Sequence, residues 1–174
     1  MTGKDFILLS CSRKALTLNE LTSRMYLLET IGYNIHYRYR IANGCLLSNK
    51  IANLVDVLES EGYIKQSSLG LYTVTELGDL ELYWTLLTHE EYVRLDKVMS
   101  LLDNLNRDGV VYVAVLDRVL KETLGNVDLN VLKHDESVIL NSMYSLTSNN
   151  SEADFQEGLG YLRRLKEAFS YEVH

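Results

Sequence analysis

The sequence contains no proline, few cysteines and no long apolar run, and each absence narrows what the chain is. None of its 174 residues is proline, so helices are expected to run without the kinks and stops that proline imposes. The two cysteines, Cys11 and Cys45, lie far apart and have no cysteine or histidine at ligand spacing. The sequence therefore predicts no metal site, no cofactor and no disulfide framework.

No apolar run approaches the roughly 18 residues that a membrane-spanning helix needs. The apolar residues 6–9 are also too few for the core of a signal peptide. We therefore expect a cytoplasmic protein with no membrane partner.

Composition and charge indicate a globular protein with an acidic second half. Hydrophobic residues make up 47% of the chain and charged residues 24%, which is ordinary for a folded domain. The net charge of −7 argues against indiscriminate coating of nucleic acid, which needs a concentrated positive field. Lys and Arg number eight against nine Asp and Glu in residues 1–85, but nine against fifteen in residues 86–174. A local nucleic-acid site therefore fits the first half better than the second.

Four capping-box signatures predict helix starts at Thr2, Thr17, Thr88 and Ser151. The second of these helices continues with apolar residues at helical spacing until Gly32. From residue 33 the period changes to two, which predicts a strand over residues 33–41. Its two faces would be tyrosine and isoleucine on one side and polar residues on the other.

The next pattern predicts a third helix and a hairpin. Ser48 is placed to cap a helix that turns Ile51, Leu54, Val55 and Leu58 inward and ends at Gly62. Residues 63–66 and 71–75 then flank a four-residue tip, as in a β-hairpin. Thr75 begins a further helix.

The second half is a series of helical patterns. They cover residues 89–106, 110–124, 135–146 and 151–170, with a polar linker over residues 145–151. The fold class expected for the chain is thus mainly α with a small β component.

Several local motifs resemble a known family. They are RMYLL at residues 24–28 with Gly32 and Tyr33 behind it, Ser48 opening a helix, ESEGYI at residues 59–64 and YTVTELG at residues 72–78. Together they resemble small bacterial YwgA-like proteins and the related domain of SocA-type antitoxins. The resemblance covers residues 17–85 and implies a winged helix-turn-helix domain. The family's usual Gly-Pro-aromatic-Ser run is replaced here by GCLLS at residues 44–48, so no function of that loop is carried over.

We therefore expect a winged-helix domain over residues 1–87 and a helical oligomerisation or regulatory region over residues 88–174. The third helix of a winged-helix DNA binder reads the major groove. Asn49, Lys50 and Asn53 would project from its first turns, where amides pair with adenine and lysine with phosphate or guanine. The alternative is a solvated polar face, since Asp56, Glu59 and Glu61 follow closely.

Two further elements are candidates for DNA contact. His36, Arg38 and Arg40 lie on the polar face of the predicted strand, although strict alternation is also what any half-buried strand shows. The other element is the first strand of the hairpin, which carries Lys65.

Aromatic and amphipathic segments allow a protein interface instead. Tyr83, Trp84 and Tyr92 follow the hairpin, and we expect them in the core rather than in an exposed patch. The helical stripes at residues 89–106 and 151–170 would form a homodimer or pack on each other inside one chain.

No pattern indicates an enzyme. The sequence has no paired nucleophile and base and no glycine-rich phosphate loop, and its histidines are scattered as His36, His89, His134 and His174.

The sequence thus predicts a dimeric, DNA-binding transcriptional regulator that acts on double-stranded DNA. The alternative is a non-catalytic module, antitoxin-like or adaptor, that binds a protein partner.

Overall fold

The computed structural model describes residues 1–83, 87–125, 136–147 and 151–170. These parts of the chain are mainly helical and contain two small antiparallel hairpins, as expected for a mainly α fold with a small β component. In chain order the elements are α1 (Gly3–Arg13), α2 (Leu18–Ile31), β1 (Arg40–Ala42), β2 (Cys45–Leu47), α3 (Asn49–Ser60), β3 (Ile64–Gln66), β4 (Tyr72–Val74), α4 (Glu76–Tyr83), α5 (His89–Asn104), α6 (Arg107–Leu124), α7 (Glu136–Leu146) and α8 (Glu152–Phe169).

Local cap chemistry sets the starts of four helices. Thr2, Thr17, Thr88 and Ser151 each accept a hydrogen bond from the backbone N–H three residues on. In each case the acidic side chain at that third position accepts the N–H of the cap in return, which satisfies two of the donors that a helix start leaves open. All four predicted capping boxes are confirmed.

Helix α2 lies at the centre of the molecule. Residues 20–28 are all buried, and α2 packs against α1, α3, β2, α6 and α8. A helix that is enclosed all round must satisfy its polar groups inside the protein. Arg24, which is 1% exposed, donates to Asp103 Oδ1 at 2.7 Å, and Tyr26 donates to Asp117 Oδ2 at 2.9 Å. The polar partners of Arg24 and Tyr26 therefore come from α5 and α6.

The apolar stripes of α5 and α8 cover each other within one chain. Helix α5 packs against α8, and both stripes are buried. The two stripes at residues 89–106 and 151–170 therefore pack on each other inside one chain, one of the two arrangements expected from the sequence, and homodimer formation itself stays a prediction. The buried residues are Leu95, Val98, Met99 and Leu102 in α5 and Phe155, Leu159, Leu162 and Leu165 in α8.

The predicted strand over residues 33–41 is too long, because only Arg40–Ala42 pairs with another strand. Burial nevertheless alternates along residues 33–40 as expected, with the odd-numbered positions turned inward. Side-chain anchors produce this pattern in place of a hydrogen-bonded ladder. The Tyr33 ring packs edge-on against Phe6 and Phe169, and Tyr39 packs edge-on against Tyr26.

The β3–β4 hairpin follows the prediction, with Lys65 opposite Thr73 and a tip at residues 67–70. Gly62 has a φ of +80°, a conformation that glycine adopts without strain. This conformation allows the chain to leave α3 and turn into β3. Leu16 and Tyr72 exchange two backbone hydrogen bonds of 3.1 and 2.7 Å. A third segment, between α1 and α2, is thereby joined to the hairpin.

Two details of α3 differ from the expectation. Ser48 occupies the N-cap position, but its side chain makes no cap hydrogen bond and its buried Oγ has no partner among the described residues. Leu54 is only half-buried, whereas Ile51, Val55 and Leu58 are buried as expected.

Two of the aromatic residues after the hairpin, Tyr83 and Tyr92, were wrongly placed in the core. Tyr83 is 82% exposed and Tyr92 is 60% exposed. They end α4 and begin α5, where both helices turn one face to solvent. Trp84, Asp135, His134, His174 and part of the predicted 145–151 linker lie outside the described residues.

The burial of α3 predicts unequal effects of one substitution at two leucines. Leu58→Ala should lower the free energy of unfolding by about 2–5 kcal/mol, since Leu58 is 1% exposed and its removal leaves a cavity. Leu54→Ala on the same helix should cost clearly less. Urea unfolding of both variants measures the difference, and equal losses would contradict the packing of α3.

Two glycine-to-alanine substitutions should change the stability of the protein in opposite directions. A Cβ at Gly78 would overlap the carbonyl oxygen of Tyr63, so Gly78→Ala should cost about 1–3 kcal/mol. Gly160 in α8 has open space around the same position, so Gly160→Ala should raise stability by about 0.5–1 kcal/mol through helix propensity. Thermal melts of the two variants should shift in opposite directions.

Candidate nucleic-acid interface

The first turns of α3 present polar side chains to solvent. Asn49, Lys50 and Asn53 are exposed, as the helical pattern predicts, while Ile51 and Val55 hold the opposite face in the core. The two asparagines are four residues apart, so their side chains lie on one face of the helix, one turn from each other. Amides and a lysine thus share one surface.

The β1–β2 hairpin brings Arg40 to the start of α3. Arg40 pairs with Leu47 across the hairpin, and Leu47 lies two residues before Asn49. Neighbouring strands are about 4.8 Å apart, so the Arg40 backbone lies beside the chain that enters α3. Sequence spacing alone did not show this approach, because a single long strand had been expected there.

His36 and Arg38 project from the extended segment that precedes β1. Both are exposed, and Tyr37 between them turns inward. Glu29 of α2 fixes this segment: its Oε2 accepts the Tyr37 N–H at 3.2 Å and the Tyr39 hydroxyl at 3.2 Å. Burial, and then the charge of Glu29, raises the pKa of Tyr39 far above its ordinary value, so its hydroxyl remains a donor. Sequence reasoning missed Glu29, since nothing in its neighbourhood marks it as an anchor.

Lys65 lies apart from the other candidates. It is exposed on β3, next to Gln66, whose N–H donates to Glu59 Oε1 at 3.3 Å. Lys65 is therefore placed beside the last turns of α3, where Glu59 lies, and not beside Asn49.

Charge is divided along this surface. From residue 30 to residue 55 the chain contains no acidic residue, and Asp56, Glu59 and Glu61 then follow within six positions. The segment before α3 and the first turns of α3 thus form a positive area. The last turns of α3 and the start of the hairpin form a negative one.

The candidate cations differ from most other cations in the described part of the protein, although Lys14, Arg164 and Lys166 likewise form no ion pair there. Within the described ranges, Arg38, Arg40, Lys50 and Lys65 form no ion pair. By contrast, Lys4, Arg13, Arg24, Arg94, Arg107, Arg118 and Lys121 each pair with a carboxylate. We refer below to Asn49, Lys50, Asn53, His36, Arg38 and Arg40 as the basic face.

The cysteines have little nucleophilic character. Burial raises the pKa of the Cys11 thiol to about 12, and burial together with the charge of Asp108 raises the pKa of Cys45. Both thiols are free and protonated at neutral pH. Among the residues described, no three His, Cys, Asp or Glu side chains converge as metal ligands, and no helix is long and apolar enough to cross a bilayer.

The anchoring by Glu29 predicts a local effect of one substitution. Glu29→Gln should speed hydrogen exchange of the Tyr37 amide about fivefold, because the charged acceptor of that N–H is weakened by about 1 kcal/mol. Glu122→Gln on α6, which alters an exposed pair with Arg118, is the matched control and should leave Tyr37 unchanged. Exchange read by NMR that is equally fast in wild type and Glu29→Gln would refute the anchor.

Comparisons of this chain with protein-family models, with curated proteins and with solved structures found no match. The function of the basic face has to be inferred from its own geometry and charge.

Proposed function

We propose that this chain is a DNA-binding transcriptional regulator of the winged-helix type, which reads double-stranded DNA with its basic face. The observation that carries the proposal is the set of unpaired cations Arg38, Arg40 and Lys50 in a stretch without acidic residues. Unpaired arginine and lysine on one surface are what phosphate binding requires.

The order of elements supports a winged helix. Helices α1, α2 and α3 precede the β3–β4 hairpin, and the Leu16–Tyr72 bridge joins a short third segment to that hairpin. Winged-helix DNA binders pack three helices against such a sheet. In that arrangement α3 would lie in the major groove of DNA, and the hairpin would contact the adjacent DNA backbone.

The chemistry of α3 suits base reading. An asparagine amide makes paired hydrogen bonds with N6 and N7 of adenine, and a lysine reaches phosphate or guanine. Ser48 supplies no cap hydrogen bond, and no acidic residue occupies the first turn of α3. The N-terminal end of the helix therefore remains favourable for a phosphate oxygen.

The acidic residues limit where DNA would be held. Asp56 and Glu59 would repel phosphates, so contact is proposed for the first two turns of α3 and the segment before β1, and less for Lys65. This restriction reconciles a local site with the net charge of −7.

The proposed role places the protein in the cytoplasm with the genome. A regulator that reads two half-sites would be a dimer, and the covered α5 and α8 stripes mean that its subunits would meet through another surface.

A second candidate function rests on α4. Leu77 and Leu80 are 49% and 62% exposed one turn apart, and α5 exposes Tyr92 nearby in sequence. Exposed apolar side chains at helical spacing are typical of protein-binding surfaces. An adaptor or antitoxin-like module would use this face and have no need for the basic face.

A fluorescence anisotropy titration against the DNA upstream of the protein's own gene tests the leading proposal. Binding should weaken steeply as salt is raised. Lys50→Ala and Arg40→Ala should each weaken binding, and each should lower the slope of log affinity against log salt by about 1. Arg118→Ala, which removes an arginine paired with Glu122 on α6, is the control for charge alone.

Two outcomes would contradict DNA binding by this face. One is the absence of binding at low salt; the other is an equal loss in Arg118→Ala and in the two basic-face variants. The first outcome, combined with a partner whose capture is lost in Leu80→Ser, would favour the interaction module.

A further inference from the structure

A cleft of about 1090 Å³ lies against the turn of the β1–β2 hairpin. It is bordered by the Asn43–Gly44 turn, the start of α6, the end of α7 and the first turns of α8. Ligand pockets typically measure about 300–1,000 Å³, so the cleft has room for a small molecule. None of the predicted site residues lines it.

The charge of the cleft is negative. Asp108, Asp154 and Glu157 line it, while Arg107 is the one cation among its described lining residues. Arg107 lies 3.5 Å from a carboxylate oxygen of the buried Glu20, which offsets its charge. Hydrogen bonds from Ser151 hold the pKa of Asp154 below its usual range, so this carboxylate is ionised at neutral pH. Anions are repelled from such a cleft and cations are attracted.

Aromatic rings accompany the carboxylates. Tyr112 and Tyr144 line the cleft, and Tyr144 is 47% exposed. Gly158 allows the Tyr112 ring to lie against α8, because a Cβ there would come within 3.0 Å of the ring. Burial, and then the charge of Asp154, raises the pKa of Tyr112 to about 12, in keeping with a carboxylate close to this ring. Tyrosine faces beside carboxylates are the surroundings that organic ammonium groups prefer.

The acidic side chains are distributed and not convergent. Asp108 is in the first turn of α6, whereas Asp154 and Glu157 are in the first turns of α8. In the described part of the chain no three such groups are close enough to hold one metal ion. Separated carboxylates instead suit a ligand whose positive charges are also separated.

We propose that this cleft binds an organic amine, a flexible aliphatic molecule that carries two or more ammonium groups. The carboxylates of Asp108, Asp154 and Glu157 neutralise the ammonium groups, and the tyrosine rings contact the aliphatic body.

The cleft shares the β1–β2 hairpin with the basic face. Asn43, Gly44 and Cys45 line the cleft, and Arg40 and the entry to α3 belong to the same hairpin. Gly44 is packed so closely on the end of α7 that a Cβ would lie 2.9 Å from the Leu146 carbonyl oxygen. A bound amine therefore contacts the hairpin that also carries Arg40. Amine binding itself does not depend on the proposed DNA binding.

The test is an NMR titration of the ¹⁵N-labelled protein with cadaverine, pentanediol and glutarate. The three probes share a chain of five carbon atoms and differ in charge. Cadaverine should cause saturable shifts of the Gly44, Gly109 and Gly158 amides, which line the cleft. The neutral diol and the dianion should cause none at the same concentration and ionic strength.

Variants locate the binding. Glu157→Gln should weaken cadaverine binding roughly two- to fivefold through a lost ion pair. Tyr144→Ala should weaken it by a similar factor, about two- to fivefold, whereas Tyr144→Phe should retain the ring contribution. Glu167→Gln, the same change at an exposed position of the same helix outside the cleft, is the control and should bind as wild type.

Three results would overturn the proposal: no saturable shift with cadaverine, equal shifts with glutarate, or equal weakening in Glu157→Gln and Glu167→Gln. Since the readout contains no DNA, its failure is distinct from failure of the proposed function.

Discussion

The complete enclosure of α2 is the constraint on which the rest of the structure depends. Its residues 20–28 have no solvent-facing side, so every polar group among them needs a partner inside the protein. Asp103 of α5 and Asp117 of α6 supply the partners of Arg24 and Tyr26, and Lys121 adds a contact of 3.0 Å to the Asp117 carboxylate. Ser23 Oγ and Arg24 Nε have no hydrogen-bond partner among the described residues. The helix is thus held by apolar packing and by charges that are costly to separate.

This enclosure also positions the surfaces that matter for function. Tyr26 and Glu29 project from α2 to hold Tyr39 and Tyr37, and these anchors keep the extended segment with Arg38 on the outside. Helix α2 contacts β2 as well, so the hairpin that carries Arg40 is placed from the same helix. The basic face and the acidic cleft then share one small hairpin. Separation of cationic and acidic side chains into these two areas explains how a chain with net charge −7 retains a positive surface.

Most features that depend on nearby residues were predicted correctly from the sequence, although the Ser48 cap and the burial of Leu54 were not. A capping box involves residues three apart, and the exposure of Asn49, Lys50 and Asn53 follows from the period of one helix. Features that depend on distant residues were missed. Alternating burial in residues 33–40 suggested a paired strand, but the alternation arises from tyrosines that pack on α2 and on the far ends of the chain.

The same limit applies to the interfaces. An amphipathic stripe indicates that one face of a helix is covered, but it does not indicate which element covers it. The stripe of α5 is covered by α8. The partners of Arg24 and Tyr26 lie 79 and 91 residues away, beyond the reach of any local pattern. Tyr83 and Tyr92 were placed in the core because aromatic residues just after such a hairpin are usually buried, whereas their positions at helix ends turn them outward.

Native-state hydrogen exchange in low concentrations of urea tests the central claim most directly, namely that α2 is stable only when α6 packs against it and Asp103 of α5 pairs with Arg24. The slowest amides of α2 and of α6 should report the same free energy of opening and the same dependence on urea, because one helix cannot be exposed without the other. If the amides of α5 and α6 open at a lower free energy while those of α2 remain protected, α2 does not depend on that enclosure and the account is wrong.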